Sequence, residues 1–554
     1  MKKITKYFSL MLLCMFMQAC NSLDQLPVNQ LTDEVFWSSL DRANMMLNMG
    51  YSQMYNRDKL WQDEALSDNL IEARGGSDAT YIRKGQANSS TPLFQSEWKW
   101  CFQGIKTSNI FIDHVDFIPD AEPAVKASLV AQARFIRAYL YFRLSNFYGD
   151  IPFFLGDITM TESKAMTRTA RATVLATLHQ ELDDIIPQLP KKEDLSAAER
   201  GRITKAAAVM LKARIYLMQG DMENVKKYCG YLIDNQDEYG RYSLFTTATA
   251  SYSAYENLFV SAYEYNDEVI LDYTYVPLTR TWDNFIDMVP QSVPSSRVAG
   301  RVPTQSLVES YITTNGLPVR SANTKPTPYA SDPSYNENSP YANRDPRLAA
   351  TVIYDGAKWK DKSATGVYTE LTIDTKSGID AYGAENATQS GYYVRKLFDP
   401  DHEVDLKMSN NIIMMRYADV LLMYAEACER TGTFTEEVWN NTIRPIRARA
   451  GFTLAEALDY PAANAANLRE IIRRERRCEL ACEGLRYYDL IRWDGLESAG
   501  NLLSGVVYGA KLTPQSDYIK VETYSYTPGR DEWWSLPQHD MDQIPTLRPN
   551  NPNY

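Results

Sequence analysis

Histidine is scarce in this chain: four in 554 residues (His114, His179, His402 and His539), none close to another. No HExxH, CxxC, GxxxxGK[ST] or GxSxG motif occurs. Those absences remove the commonest metalloprotease, zinc-ribbon, P-loop and hydrolase readings. Positive charge is also in deficit, with 58 Lys and Arg against 70 Asp and Glu and a net charge of -12. A nucleic-acid binder would present a basic face, so no nucleic-acid partner is expected. No internal run approaches the ~18–20 apolar residues that a membrane-spanning helix needs. Cysteines number seven, at 14, 20, 101, 229, 428, 478 and 482. What is abundant is apolar and aromatic: 44% hydrophobic residues and 12% aromatic, with 37 Tyr and 10 Trp. A disordered chain is poorer in aromatics, and this one can bury a large core.

Residues 1–19 read as an address. Lys2, Lys3 and Lys6 form a positive region, and Phe8 to Met17 is an apolar run too short to span a bilayer. Ala19-Cys20 follows, and a small residue directly before Cys resembles the lipobox of bacterial lipoproteins. Cleavage there leaves Cys20 as the first residue, with an acylated thiol. Each buried CH₂ of an acyl chain contributes ~0.8 kcal/mol, so two or three chains hold firmly to a membrane. Cys14 leaves with the leader and Cys20 is lipidated; the five remaining cysteines are an odd number, which excludes a complete disulfide framework. Cys478 and Cys482, four apart and with no His nearby, read as small buried hydrophobes.

Apolar periodicity predicts helices over 28–56, 96–115, 123–148, 169–188, 201–234, 414–431, 435–450, 464–482 and 485–494. Pro123 suits a helix first turn. Residues 57–95 read as long loops, 240–320 as short strands and loops, and 321–349, 355–392 and 530–554 as irregular excursions. Ala213, Tyr216 and Gly220, and again Ala425, Cys428 and Gly432, stand at the spacing of the first helix of a tetratricopeptide repeat. Glu475, Glu479 and Glu483 lie on successive turns among Arg473, Arg476, Arg477 and Arg486. Glycosidases use two carboxylates facing across a cleft, whereas these lie side by side on one helix. They are expected to be neutralised as ordinary helix ion pairs.

Several segments in chain order resemble one family. They are the opening Cys20-Asn21-Ser22-Leu23-Asp24-Gln25-Leu26-Pro27, AQARFIRAYLYFRLSNFYGDIPF (131–153), GRITKAAAVMLKARIYLMQGD (201–221) and RVPTQSLVESYITTNGLPV (301–319). NRDPRL (343–348), MMRYADVLLMYAEAC (414–428) with IRARAGF (446–452), REIIRRERRCELACEGLRYYDLIRW (469–493) and the ending IPTLRPNNPNY (544–554) complete the set. Together they resemble the SusD/RagB-type nutrient-binding lipoproteins of Gram-negative outer membranes. Cys482 stands where that family often has Phe, and residues 355–392 match no family pattern.

The resemblance implies a mostly α fold: a tetratricopeptide-like helical scaffold, with irregular loops and a few short strands carrying the ligand site. It implies one domain over 20–554, mainly helical in 20–235 and 400–554 and loop- and strand-rich in 240–400. It implies no catalysis and no cofactor. The implied partners are an oligosaccharide or polysaccharide, less often a peptide, and a TonB-dependent transporter of the SusC/RagA type. The implied location is the cell surface at the outer membrane, held by the lipid anchor.

Sugars offer flat C–H faces to aromatic rings and hydroxyls to Asp, Asn and Arg. On that chemistry the ligand-binding candidates are Trp61, Trp98, Trp100, Tyr81, Tyr263, Tyr265 and Trp282, with Asp68, Asn69 and Arg74. Trp282, in the polar run Arg280-Thr281-Trp282-Asp283-Asn284, carries least reason for burial. The segments around 61–100 and 263–283 are expected to meet in one shallow surface site. Trp533-Trp534 are read as packing against the scaffold. Two other classes fit the composition: a secreted glycoside hydrolase, and a peptide-binding helical scaffold.

Overall fold

The computed structural model describes residues 37–73, 76–119, 121–319, 329–362, 368–497 and 502–554. Cys20 and Arg74 lie outside the described residues.

The fold is mostly helical. Its longer helices are α1 (Leu40–Met54), α2 (Arg57–Ala65), α3 (Pro92–His114), α4 (Pro123–Tyr148), α5 (Arg171–Ile185), α6 (Lys205–Gln219) and α7 (Met222–Asp234). After a long loop-rich passage containing the short α8 (Gln305–Ser310) come α9 (Tyr417–Arg430), α10 (Ile443–Ala450), α11 (Leu468–Leu480) and α12 (Arg486–Glu497). Neighbours in sequence pack as hairpins, α3 on α4 and α6 on α7, and the stack continues from α7 to α9 to α11. Pro123 occupies the first turn of α4, where its missing N–H is not needed. Thr204 caps α6 through the Ala207 amide, and Gly220 ends it in the left-handed region at φ 77. Asp221 then caps α7 through the Asn224 amide, so two adjacent residues stop one helix and start the next. Ala206, Ala207, Ala208 and Ala213 are fully buried, and their small side chains let neighbouring helices approach closely. Gly432 follows α9 with φ 70, matching Gly220 in the second copy of the repeat pattern.

The strands form five antiparallel pairs among the described residues. They are β1 (Leu70–Glu72) with β3 (Arg301–Pro303), β2 (Val269–Tyr273) with β8 (Ile412–Arg416), and β4 (Val352–Ile353) with β7 (Tyr393–Val394). β5 (Lys358–Lys362) pairs with β6 (Tyr368–Thr372), and β9 (Gly505–Lys511) with β10 (Tyr518–Tyr524). The β5–β6 hairpin replaces part of the irregular excursion expected over 355–392; Trp359 on β5 is fully buried and ties it to Phe398.

Helix α2 falls where long loops were expected. Its buried face carries Lys59, Asp63 and Glu64 beside Leu60 and Trp61, so apolar periodicity does not reveal it. Those charges are satisfied inside the protein. Asp63 accepts a two-pronged contact from Arg143 at 2.6 and 2.8 Å, and Lys59 reaches Glu97 at 2.5 Å. Glu64 accepts from Asn69 at 2.7 Å and from the amides of Cys482 and Gly484 at 2.9 Å.

Glu475 and Glu479 on α11, and Glu483 just past its end, are buried rather than solvated, which corrects the expected pairing. Glu475, Glu479 and Glu483 meet cations from other segments: Arg347, Arg447, Arg449, Arg416 and Lys396. Glu268 and Asp345 complete the cluster through Arg416, Arg449 and Arg347. Five cations face five carboxylates, a neutral sum that permits their removal from water. The arginines of α11 itself look elsewhere, Arg476 to Asp419 and Asp489 and Arg477 to Asp68.

Candidate functional site

The two segments expected to form a site do meet, but inside the core. Trp61 is fully buried with its ring edge-on to Phe285 at 5.9 Å, and Phe285 lies 5.7 Å from Trp282. Trp282 is 1% exposed, and its indole N–H donates to the Asn410 carbonyl at 3.0 Å. The polar residues around Trp282 face outward, Asp283 to Arg57, while the indole turns in. Trp98 is likewise buried against Tyr148 and Phe102. Asn69 is buried between Glu64 and Arg477. Asp68 is held by Arg477 at 3.1 Å and Arg486 at 2.8 Å. Although burial alone would raise it, those guanidinium groups hold the Asp68 carboxyl down at about 2. Trp61, Trp98, Trp282 and Asn69 are thus core residues without a surface to offer a ligand, while Asp68 is partly exposed and engaged by its two arginines. Trp100 is half-buried under the Lys59 ammonium at 5.3 Å, Tyr81 is exposed, and Tyr263 packs on Phe245. Tyr265 borders a substantial cavity. Trp534 packs on Phe147 at 4.0 Å, as its position suggested.

The arrangement best suited to a saccharide lies elsewhere, in a cavity of about 390 Å³ on the loop-rich side. Five tyrosines line it: Tyr335, Tyr341, Tyr354, Tyr392 and Tyr518. Tyr335 and Tyr341 come from the loop before β4, Tyr354 from just after β4, Tyr392 from before β7, and Tyr518 from β10. Tyr341 and Tyr354 stack at 4.1 Å, so each covers one face of the other. Tyr518 carries the Lys511 ammonium 4.8 Å from its ring centre. Beneath the rings runs a relay: the Tyr341 hydroxyl donates to Tyr392 at 3.3 Å, Tyr392 to Gln305 at 2.5 Å, and the Gln305 amide to Glu309 at 2.9 Å. Burial pushes the Tyr341 hydroxyl up to about 12, the Tyr392 bond opposing it, so it remains a protonated donor near neutral pH. Arg344, buried beside the cavity, donates to the carbonyls of Pro340, Val308 and Tyr311 and fixes the wall that bears Tyr335 and Tyr341. The rim mixes Glu337, Asn338, Asp355, Lys376 and Thr513, with Asp355 and Lys376 paired at 2.8 Å. Aromatic faces with a neutralised polar rim suit a hydroxyl-rich ligand of low net charge.

Sequence reasoning missed these tyrosines because they come from four separate segments. The signal available was the recurrence of Tyr329, Tyr335 and Tyr341 in a stretch otherwise of Pro, Asn and Ser.

A family model described as "SusD family" matches residues 257–554, more than half of the chain. The chain belongs to the SusD family. A second model, described as "Starch-binding associating with outer membrane", matches residues 22–217. Over its whole length the chain is 25% identical to the SusD-like protein P2 of Formosa agariphila, 100% of which is covered. A SusD-like carbohydrate-binding protein from Bacteroides fragilis superposes with a TM-score of 0.79 at 26% identity, covering 93% of this chain and 100% of that one. A laminarin-binding SusD-like protein has the same fold at 19% identity and a TM-score of 0.63, covering 93% and 100% of the two chains. This SusD-family member therefore uses the helical stack as scaffold and carries its tyrosine cavity on the loops and short strands.

Proposed function

We propose that this SusD-family protein is a cell-surface lipoprotein that binds oligosaccharides in the tyrosine cavity and passes them to a TonB-dependent transporter of the SusC/RagA type. The observation that carries the reading is the cavity itself: five tyrosines over a hydrogen-bonded floor, with a rim of mixed charge. The "associating with outer membrane" description of the family agrees with the leader and Cys20. Binding without catalysis is part of the same reading. The carboxylates nearest in sequence to a catalytic pattern, Glu475, Glu479 and Glu483, are buried and matched to arginine and lysine.

The test is a glycan array probed with the full chain, followed by calorimetry on each hit and an assay for new reducing ends. Saturable binding with no reducing ends is the expected result. Release of reducing ends would favour the hydrolase reading instead. Recovery of a β-barrel transporter on pull-down from mild detergent tests the delivery step.

A further inference from the structure

A second cavity, of about 660 Å³, opens between the turn before α6, the segment after α7 and strand β2. It shares no residue with the tyrosine cavity. At its inner end lies Asp272, 4% exposed. One carboxylate oxygen accepts from the Asn411 amide at 2.7 Å, while the other, Oδ1, is buried with no hydrogen-bond partner. A buried carboxylate oxygen left unmatched is destabilising unless something supplies a donor. Gly201, at φ +85, packs closely beside it: a Cβ there would stand 2.9 Å from Thr274 Cγ2, 3.3 Å from Asp272 Oδ1 and 3.4 Å from the Tyr265 ring, so only a glycine fits against the carboxylate. The half-buried Tyr265 ring thus flanks the approach to the carboxylate.

The cations at the mouth are unequal. Lys192 is paired with Asp267 at 3.0 Å and Arg241 with Asp237 at 2.9 Å. Arg202 donates to the amide oxygens of Gln132 at 3.3 Å and Asn48 at 3.4 Å and lies over the Tyr51 ring at 5.7 Å. Arg200 is exposed and makes no ion pair among the described residues. The cavity therefore offers an unmatched acceptor inside, an aromatic ring at its side and an unmatched guanidinium outside.

We propose that this cavity is a second saccharide site, taking an acidic sugar: a hydroxyl donates to Asp272 Oδ1, the ring lies against Tyr265, and a carboxylate or sulfate pairs with Arg200. The proposal extends the saccharide-binding reading above but rests on different residues. Calorimetry on the full chain should use three probes of equal length: an oligogalacturonate, a sulfated galactan oligosaccharide and a neutral galactan oligosaccharide. One or both acidic probes should bind, and which of them does so identifies the anionic group. Arg200→Ala, at an exposed position, should weaken that binding about tenfold, which is about 1.4 kcal/mol. Asp272→Asn, in protein whose circular dichroism spectrum shows the native fold, should weaken it at least as much, and Tyr354→Ala in the other cavity should not change it. Acidic-probe binding insensitive to both Arg200→Ala and Asp272→Asn overturns the proposal. So does the absence of acidic-probe binding, even where the neutral probe binds and Tyr354→Ala abolishes it; that pattern would leave the tyrosine cavity standing alone.

Discussion

Arg416 Nη1 lies 2.6 Å from Glu479 Oε1, and both side chains are removed from solvent. The pair joins strand β8 to helix α11 and stands at the centre of the five-against-five charge cluster. Removing one partner leaves the other buried and unmatched, which typically costs about 3–5 kcal/mol. Glu479→Ala is therefore expected to lower the unfolding free energy measured in urea by an amount of that size, or to prevent folding. A loss of under about 1 kcal/mol, the value usual for surface pairs, would show that water reaches the cluster.

Trp282→Ala is a stability mutation. Removing an indole that is 1% exposed opens a cavity beside Phe285 and leaves the Asn410 carbonyl without its donor, at about 3–5 kcal/mol. The expected outcome is a clear drop in melting temperature. In whatever fraction stays folded, glycan affinity should match the unmodified protein. A loss of affinity at an unchanged melting temperature would return Trp282 to the ligand site.

Tyr354→Ala and Tyr518→Ala probe the tyrosine cavity. Stacking of a ring on a flat ligand is worth ~1–3 kcal/mol, by analogy with base–aromatic stacking. Each substitution should weaken oligosaccharide binding by roughly 5- to 150-fold, since 1.4 kcal/mol is tenfold. Both rings are half-buried, so the fold should survive, and circular dichroism serves as the control. Calorimetric affinities unchanged in both variants would remove the cavity from consideration.

Burial pushes Asp272 up to about 6, against the Asn411 amide bond that opposes it. Burial also pushes Glu264 up to about 7, with the Asn411 backbone bond opposing and Asp272 and Asp399 adding to the rise. In the unfolded chain both titrate near 4. Between about 4 and 7 the native state thus holds more protons, so their contribution to stability falls as pH rises through that window. The melting temperature of the unmodified protein should drop more between pH 5 and pH 8 than that of an Asp272→Asn, Glu264→Gln double variant. Parallel curves for the two would show that neither carboxyl is shifted.

Cys20→Ala should release the protein from the outer-membrane fraction and leave its circular dichroism spectrum unchanged. Retention of the variant in that fraction after a salt wash would place the anchor elsewhere.

Much of the scaffold is legible in the sequence. The helix over 123–148 is found at those bounds, because an apolar stripe, a first-turn Pro and Gly149 at its end all act locally. The α6–α7 hairpin follows from Thr204, Gly220 and Asp221 for the same reason. Where a buried face is charged the local signal inverts: α2 looks like a polar loop, and α11 looks like a solvated helix.

What the sequence by itself determined is therefore what depends on near neighbours: many of the helix stops and starts, and the order of family motifs. Only the tertiary structure decided which charged residues are interior, since Arg347, Arg416 and Arg449 neutralise Glu479 from positions 132, 63 and 30 residues away. It also decided which aromatics meet solvent. An indole in a polar run turns inward when its N–H finds a carbonyl 128 residues along the chain, as Trp282 does with Asn410. Five tyrosines from four segments become one cavity only when the strands between them pair, because side-chain chemistry is local while the surface that displays it is assembled from distant parts of the chain.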